Sequence, residues 1–140
     1  LTEQYFSQKV FDLIRLDPAS QRWDFEILKF GRHFRIDGRT KVVVGRHERD
    51  NDYFKYAHES DDASSTALLT PNNFAGPRAL LIGPPTEPSL VFAAALVMRY
   101  SKRFENDAPH VEVQQGAQTW LMPASRMQEA EQLGTLAAAR

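Results

Sequence analysis

The stretch that decides how this chain folds is RHFRIDGRTKVVV, residues 32–44. Asp37-Gly38 separates two runs rich in β-branched and aromatic residues, and both residues of such a dipeptide can take the positive φ of a tight turn. We therefore predict an antiparallel hairpin between strands at 32–37 and 40–44. The alternation of a strand places Phe34, Ile36, Val42 and Val44 on the core side, and Arg35 and Val43 on the outside.

This hairpin lies in a basic stretch, residues 29–49, which has seven Lys or Arg residues and two acidic ones, a net charge of +5. Because the whole chain has a formal charge of −1, the other residues together carry −6. Positive charge concentrated in this way indicates a surface for a polyanion. Arginines outnumber lysines by five to two, which suits phosphate. A solvated hairpin face is the alternative interpretation.

The rest of the chain predicts helices and strands in mixed order. Residues 1–16 have the spacing of a first helix, whereas Trp23, Phe25, Ile27 and Phe30 are consistent with a strand. A short helix should follow the hairpin, capped by Asp50 or Asn51 and closing near Asp61-Asp62. The longest helix is predicted over residues 89–104 with Ser89 as its N-cap, and short strands are predicted at 67–69, 79–82, 110–113 and 119–122.

These elements predict an α+β fold: a mostly antiparallel sheet of hairpins with one long core helix and shorter flanking helices. With 140 residues the chain fits one domain. We expect a lead-in helix or linker from a preceding domain at 1–20, the domain itself at 21–123, and a polar helix or tail at 124–140. The first residue is Leu and not Met, which is typical of a fragment of a longer protein.

The composition argues against several kinds of site. The chain has no cysteine, so disulfides and thiolate ligands are excluded from this segment, and a reducing compartment fits. The longest apolar run, residues 90–98, is too short to cross a membrane. None of the four histidines lies in a zinc-binding pattern, and Asp61-Asp62 is more typical of a solvated helix end than of a Mg²⁺ site. We expect no catalytic residue, metal or cofactor in this segment.

The basic residues of the hairpin favour a binding function over a catalytic one. Arg32, His33, Arg35, Arg46, His47 and Arg49 are predicted at the outer ends of the two hairpin strands, where guanidiniums could bind phosphates and rings could stack on bases. Lys102 and Arg103, at the end of the long helix, would add charge. A protein-interaction domain that docks on an acidic partner, or on its own parent enzyme, is the alternative. The least favoured alternative is a nuclease that uses His33 or His47, since no second convergent group is found.

Several short motifs resemble the RNA-binding domain called NFACT-R, over roughly residues 27–115. They are Gly31-Arg32-His33-Phe34-Arg35, Val43-Val44-Gly45-Arg46 followed by Asn51-Asp52, Gly76-Pro77, and Ala93-Ala94-Ala95 with Tyr100-Ser101-Lys102-Arg103. The sequence departs from the family in two places. His47 replaces the Asn of the turn, and residues 61–69 replace the Asp-Leu-Trp-Leu-His segment of better-known members.

What the resemblance implies is RNA binding, with tRNA as the expected partner, by a cytoplasmic protein. The two departures favour a bacterial branch of the family. In that branch, a domain that this chain resembles is fused behind a PP-loop ATPase domain similar to tRNA 2-thiouridylases. Residues 1–13 resemble the segment that joins the two. The N-terminal catalytic domain of the same polypeptide is therefore a second expected partner, and any ATP-dependent thiouridylase activity would belong to that domain.

Overall fold

The computed structural model describes residues 2–102 and 108–136. Its strands are β1 (Arg32–Asp37), β2 (Thr40–Val44), β3 (Ser65–Pro71), β4 (Ala79–Ile82), β5 (His110–Gln115) and β6 (Gln118–Pro123). Its helices are α1 (Thr2–Leu16), α2 (Arg22–Glu26), α3 (Glu48–His58), α4 (Glu87–Arg99) and α5 (Gln128–Gln132), with a 3₁₀ turn at Ile27–Lys29. The strands form one sheet in the order β1-β2-β4-β3-β5-β6, and all neighbouring strands are antiparallel. The predicted α+β class is confirmed.

The predicted hairpin is confirmed, but its turn differs from the expected one. Phe34 pairs with Val42, and Asp37 pairs with Thr40. The two residues between Asp37 and Thr40 are thus Gly38 and Arg39, and Gly38 does not take a positive φ. Instead, the Asp37 carboxylate accepts a hydrogen bond of 2.8 Å from the Arg39 backbone N–H. The aspartate therefore stabilises the turn through its side chain.

Both faces of the sheet are covered, so the prediction that Arg35 and Val43 point outward is wrong. Val42 and Val44 are buried on the core side, as predicted, and there they pack against α4 in a core that includes Leu96. Val43 packs on the opposite face, in a second core with residues of α2 and α3. A strand that is apolar on both sides is typical of a buried position in a sheet covered by helices on both faces.

The strand predicted at Trp23–Phe30 is wrong: this segment is α2 followed by the 3₁₀ turn. Asp24 accepts a hydrogen bond of 2.9 Å from the backbone N–H of Gln21 and so stabilises the first turn. Trp23 and Ile27 are buried and four residues apart, whereas Phe25 is 39% exposed. The burial follows the period of a helix, because one helical face packs on the sheet.

Two predicted caps are also wrong. His47 is the N-cap of α3, in place of Asp50 or Asn51, which lie inside the helix. Thr86 is the N-cap of α4, in place of Ser89, and its hydroxyl accepts a hydrogen bond of 3.2 Å from the Ser89 N–H. Each N-cap therefore lies three or four residues earlier than predicted. Thr86 is a favoured cap residue, whereas in α3 a histidine ring accepts the capping hydrogen bond instead.

The helix predicted over residues 89–104 is α4, and it is the core helix, as predicted. The prediction that it is the longest helix is wrong, because α4 ends at Arg99 and has 13 residues, whereas α1 has 15. Residues 93–98 of α4 are all buried, whereas Phe92 is only partly buried. The predicted helix end at Phe104 lies outside the described residues. The strands predicted at 67–69, 79–82, 110–113 and 119–122 are confirmed within β3 to β6. Beyond them, α5 packs on α4 through the buried Ala130.

Candidate nucleic-acid interface

A cleft of about 320 Å³ lies at the open end of the β1–β2 hairpin, where β1 begins and β2 ends. Four of the basic residues predicted to bind RNA line it: Arg32, Arg46, His47 and Lys102. The remaining walls are Gly45, Asn51, residues 75–77 and Tyr100. We call this site the cationic cleft. It joins the hairpin and the start of α3, which directly follows the hairpin, to the end of α4, which is distant from both in sequence.

Arg32 is held by an aromatic ring at the end of α4. The alternation of β1 places Arg32 on the same face as Phe34, next to Tyr100. Its guanidinium carbon lies 4.3 Å from the centroid of the Tyr100 ring, and its Nη1 donates a hydrogen bond of 3.4 Å to the Gly45 carbonyl. A guanidinium has five N–H donors, so most of them remain for a ligand while the stacked ring fixes its plane.

Arg46 is held by a buried carboxylate. Its Nε donates a hydrogen bond of 2.9 Å to Asp50, which also accepts one from the Gly31 backbone N–H at 3.2 Å. Burial by itself would raise the pKa of Asp50, but the hydrogen bonds from Arg46 outweigh it and lower that pKa. The Arg46 side chain is 40% exposed, so it is oriented by Asp50 and still reaches solvent in the cleft.

His47 combines a structural position with an exposed ring. As the N-cap of α3 it accepts a hydrogen bond of 3.4 Å at Nδ1 from the Asp50 N–H. Its Nε2 lies 3.8 Å from an Asp50 carboxylate oxygen, and half of the side chain is exposed in the cleft. The first turn of α3 adds the positive end of a helix dipole at this point.

The family model described as the NFACT protein RNA binding domain matches residues 31–134. The chain belongs to this family. It is therefore an RNA-binding domain, and the cationic cleft lies within the matched residues. No curated protein matches the chain by sequence.

A solved structure has a similar fold. It is the C-terminal part of the fibronectin/fibrinogen-binding protein from Streptococcus suis, with a TM-score of 0.56 and 14% sequence identity. The match covers 86% of this chain and 56% of that structure, so this chain spans about half the length of the solved relative. At this identity the similarity shows the fold alone.

The floor of the cleft explains two of the NFACT-R motifs as structural. Asn51 accepts a hydrogen bond of 3.0 Å at its side-chain oxygen from the Arg78 N–H, and Arg78 in turn accepts one from the Gly45 N–H at 3.0 Å. A Cβ on Gly45 would overlap the Asn51 amide, and a Cβ on Gly76 would overlap the Ser101 hydroxyl. The glycines therefore let three segments approach each other closely.

Two predicted binding residues lie on the other side of the sheet. His33 is completely buried, and its Nε2 contacts the Phe30 carbonyl at 2.8 Å. Burial lowers the pKa of His33 well below its usual value, and it is neutral at pH 7. Arg35 donates hydrogen bonds to Asp12 of α1 at 2.7 Å and to Asp17 at 3.1 Å. The structure therefore does not bring these two residues to the cationic cleft.

The remaining residues predicted to bind RNA, Arg49, Lys102 and Arg103, do not all lie in the cleft. Lys102 lines the cleft, whereas Arg49 is exposed on the first turn of α3, outside the cleft lining. Arg103 lies outside the described residues. Sequence reasoning left Tyr100 and Asp50 out of the site, although these residues orient Arg32 and Arg46. The sequence signal that could have placed Tyr100 in the site was its position close to Lys102. An aromatic ring at the end of a helix is equally typical of a core residue, however, so this signal was ambiguous.

Two further findings concern the described part of the chain alone. No helix in it is long and apolar enough to span a membrane. Among residues 2–102 and 108–136, no group of three or more His, Cys, Asp or Glu side chains is placed to hold a metal ion.

The interior of this NFACT RNA-binding domain also contains a buried lysine. Lys41 is 1% exposed, and its ammonium nitrogen has no hydrogen-bond partner among the described residues. Burial, together with the nearby charge of Arg35, lowers the pKa of Lys41 to about 8. Lys9 of α1 is also buried, with its pKa lowered to about 8, but it donates to the Leu28 and Gly31 carbonyls at 3.2 and 3.3 Å.

Lys41→Met should therefore stabilise the domain at pH 7. The folded chain releases the Lys41 proton near pH 8 and the unfolded chain near 10.5. Below pH 8 both states are protonated and the full cost of the buried charge remains, so the free energy of unfolding rises with pH from 8 to 10.5. A shift of this size corresponds to about 3 kcal/mol. Urea unfolding of the parent and of Lys41→Met at pH 7 and pH 10 measures the free energy of unfolding and its change with pH.

The exposed Lys55→Met is the matched control for this change, because it removes the same charge from the surface of α3. It should leave the free energy of unfolding nearly unchanged. The rise in stability with pH should be about half as steep in Lys41→Met, since Lys9 still contributes. A Lys41→Met variant less stable than the parent at pH 7 would contradict the prediction.

Proposed function

We propose that this domain binds tRNA through the cationic cleft and is the RNA-binding module of a larger, thiouridylase-like tRNA-modifying protein. The observation that carries the proposal is the convergence of Arg32, Arg46, His47 and Lys102 on one cleft. These residues come from three elements of a domain whose net charge is −1, so the positive charge is local. A local cationic site favours one segment of a folded RNA over indiscriminate binding of polyanions.

The geometry of the arginines supports phosphate as the group that they recognise. Arg32 is fixed by the Tyr100 ring and Arg46 by Asp50, so neither guanidinium has to be ordered when a ligand binds. Planar guanidiniums bind phosphate oxygens with two parallel hydrogen bonds. Preorganised donors lose less conformational entropy on binding, which favours affinity.

The larger protein is proposed from the resemblance of residues 1–13 to the segment that follows a PP-loop ATPase. In such a protein the catalytic domain would modify the nucleotide, while this domain would hold the RNA. We place it in the cytoplasm, and the lack of cysteine in the chain is compatible with a reducing compartment. The PP-loop domain would supply the ATP-dependent chemistry, so this segment needs no catalytic residue of its own.

A direct binding experiment tests the proposal. The purified chain is titrated into labelled tRNA, and the measurement is fluorescence anisotropy at several salt concentrations from about 50 to 200 mM. We expect binding that weakens linearly in a plot of log affinity against log salt, because bound phosphates release counterions. Stronger binding to tRNA than to a perfectly paired RNA of equal length is also expected. No binding to tRNA at low salt would overturn the proposal.

A second candidate function is docking on the parent enzyme, and one observation favours it. On α1, Phe11 is 66% exposed and Ile14 is 58% exposed, and these residues are three apart on one helical face. Exposed apolar side chains on adjacent turns are typical of an interaction surface. Phe11→Ser with Ile14→Ser would weaken docking on the preceding domain and leave RNA affinity unchanged.

A further inference from the structure

A row of aromatic side chains lies beside the cationic cleft. The rings of Phe30 and Tyr53 are stacked, with centroids 3.8 Å apart and an angle of 11° between their planes. Tyr56 continues the row, with its centroid 6.0 Å from that of Tyr53 at an angle of 43°. We call these three residues the aromatic ladder. It begins just before β1 and runs along the outer surface of α3.

The exposure of Tyr56 has no structural explanation within the fold. Phe30 and Tyr53 pack partly against the second core, but Tyr56 belongs to neither core cluster and is 71% exposed. A helix surface position is usually occupied by a charged or small residue at no cost in stability. The ladder therefore ends in a large aromatic ring that is available to a ligand.

The ladder is continuous with the cationic cleft through two arginines. Arg46 lines the cleft and also donates a hydrogen bond of 3.4 Å to the Lys29 carbonyl, directly before Phe30. Arg49, Tyr53 and Tyr56 are spaced i, i+4 and i+7 on α3, so they lie on one face of the helix. Arg49 is exposed and forms no ion pair with any residue in the described ranges. The face thus changes from cationic to aromatic within two helical turns.

The two lysines near the ladder are paired with acidic residues, and burial together with the charges of Glu26 and Asp62 raises the pKa of Tyr53. Lys29 pairs with Glu26 at 3.2 Å, and Lys55 pairs with Glu59 at 3.4 Å. The ladder itself therefore offers no net attraction for phosphate. What it offers is ring surface, next to guanidiniums that bind phosphate.

We propose that the aromatic ladder is a base-stacking platform for unpaired nucleotides, so that the RNA held by this domain is single-stranded or looped where it crosses α3. The proposal rests on the proposed RNA-binding function and names the class of RNA. A cationic groove next to exposed aromatic rings is the arrangement by which proteins bind single-stranded nucleic acid. Bases in a continuous RNA duplex are stacked on each other, so their faces are not available to Tyr56.

The test uses the full chain with Tyr56→Ala, Tyr56→Phe and, as a matched control, Leu121→Ala. Leu121 is an exposed apolar residue on β6, at the opposite edge of the sheet from the hairpin. The probes are a short single-stranded RNA with one 2-aminopurine, and a duplex of the same sequence. Because Tyr56 is exposed, all three variants should keep the thermal stability of the parent.

We expect Tyr56→Ala to weaken binding of the single strand by about 5- to 150-fold, the loss of one stacked base. Tyr56→Phe should keep the affinity and the quenching of 2-aminopurine, and Leu121→Ala should match the parent. The salt dependence of Tyr56→Ala should equal that of the parent, since no charge is removed. Binding to the duplex should not change.

The outcomes separate the platform from the proposed function. If Tyr56→Ala binds the single strand as well as the parent does, while loss of Arg32 and Lys102 weakens it, the platform is overturned and RNA binding stands. Equal losses for single strand and duplex would also overturn the platform, because stacking requires an unpaired base. If the parent binds tRNA but neither of the two short RNAs, the platform is overturned and the proposed function stands, whereas no binding of tRNA or of either short RNA would overturn both proposals.

Discussion

Arg35→Ala should destabilise the domain by about 3–5 kcal/mol, the usual cost of removing one partner from a buried ion pair. The Arg35 side chain is 13% exposed and donates to both Asp12 and Asp17. Its loss leaves the Asp12 carboxylate buried, without the guanidinium that compensates it, and releases a contact that holds α1 against the sheet. Urea unfolding at pH 7 measures the change, because urea leaves the ionic strength constant.

The matched control is Arg39→Ala, which removes the same side chain from the exposed turn of the same hairpin. It should change the free energy of unfolding by less than about 0.5 kcal/mol, as is usual for an exposed site. The pair of variants also decides what Arg35 does. If Arg35→Ala kept the stability of the parent but lost affinity for RNA, Arg35 would be a ligand-binding residue, and the interior ion pair would be contradicted.

Removing two charges from the cationic cleft should have the largest effect on RNA affinity. The double variant Arg32→Gln with Lys102→Gln leaves the Arg46–Asp50 pair intact, so the fold should be preserved. A hydrogen bond to a charged group contributes about 1.5–3 kcal/mol, so the double variant should bind about a hundredfold more weakly, or worse. Each lost phosphate contact should also lower the salt slope by about 0.7, or about 1.4 in all. Fluorescence anisotropy with tRNA measures both values.

The double variant Arg22→Gln with Arg39→Gln is the control for this experiment. It removes the same net charge from α2 and from the hairpin turn, outside the cleft lining. If a diffuse positive field were responsible for binding, both double variants would weaken RNA binding equally. A loss confined to the Arg32 and Lys102 variant would instead locate the phosphate contacts in the cleft.

The hairpin was predictable because the signals for it are local. The residues of β1 and β2 are rich in β-branched and aromatic side chains, and a turn residue at Asp37 separates the two runs, so the pairing needs no information from distant parts of the chain. The turn geometry was predicted less well, since an aspartate side chain replaced the backbone conformation expected of Asp-Gly. For Trp23 and Ile27 the signal was ambiguous, because a short apolar run fits a buried helix as well as a strand.

The candidate site was predictable only in part. Four of the basic residues singled out by sequence line the cleft, but a strand alone does not reveal which of its faces will be covered. Arg32 and Arg35 are both arginines in β1, and one lies in the cleft while the other lies in an interior ion pair. Arg32 contacts Tyr100 and Arg35 contacts Asp12, and both of these partners are far away in the sequence.

The sequence by itself determined the hairpin, the α+β class, the core position of α4 and the concentration of positive charge near residues 29–49. These properties depend on alternation, helical spacing and charge, which are read over a few residues at a time. Only the tertiary structure decided which of those charges face solvent. Packing of α1, α2 and α3 on the second face buries His33, Arg35 and Lys41, and it leaves Arg32, Arg46 and Lys102 at the cleft. A buried charge has to find a compensating partner or lose its proton, and such partners come from distant segments that meet only when the chain folds.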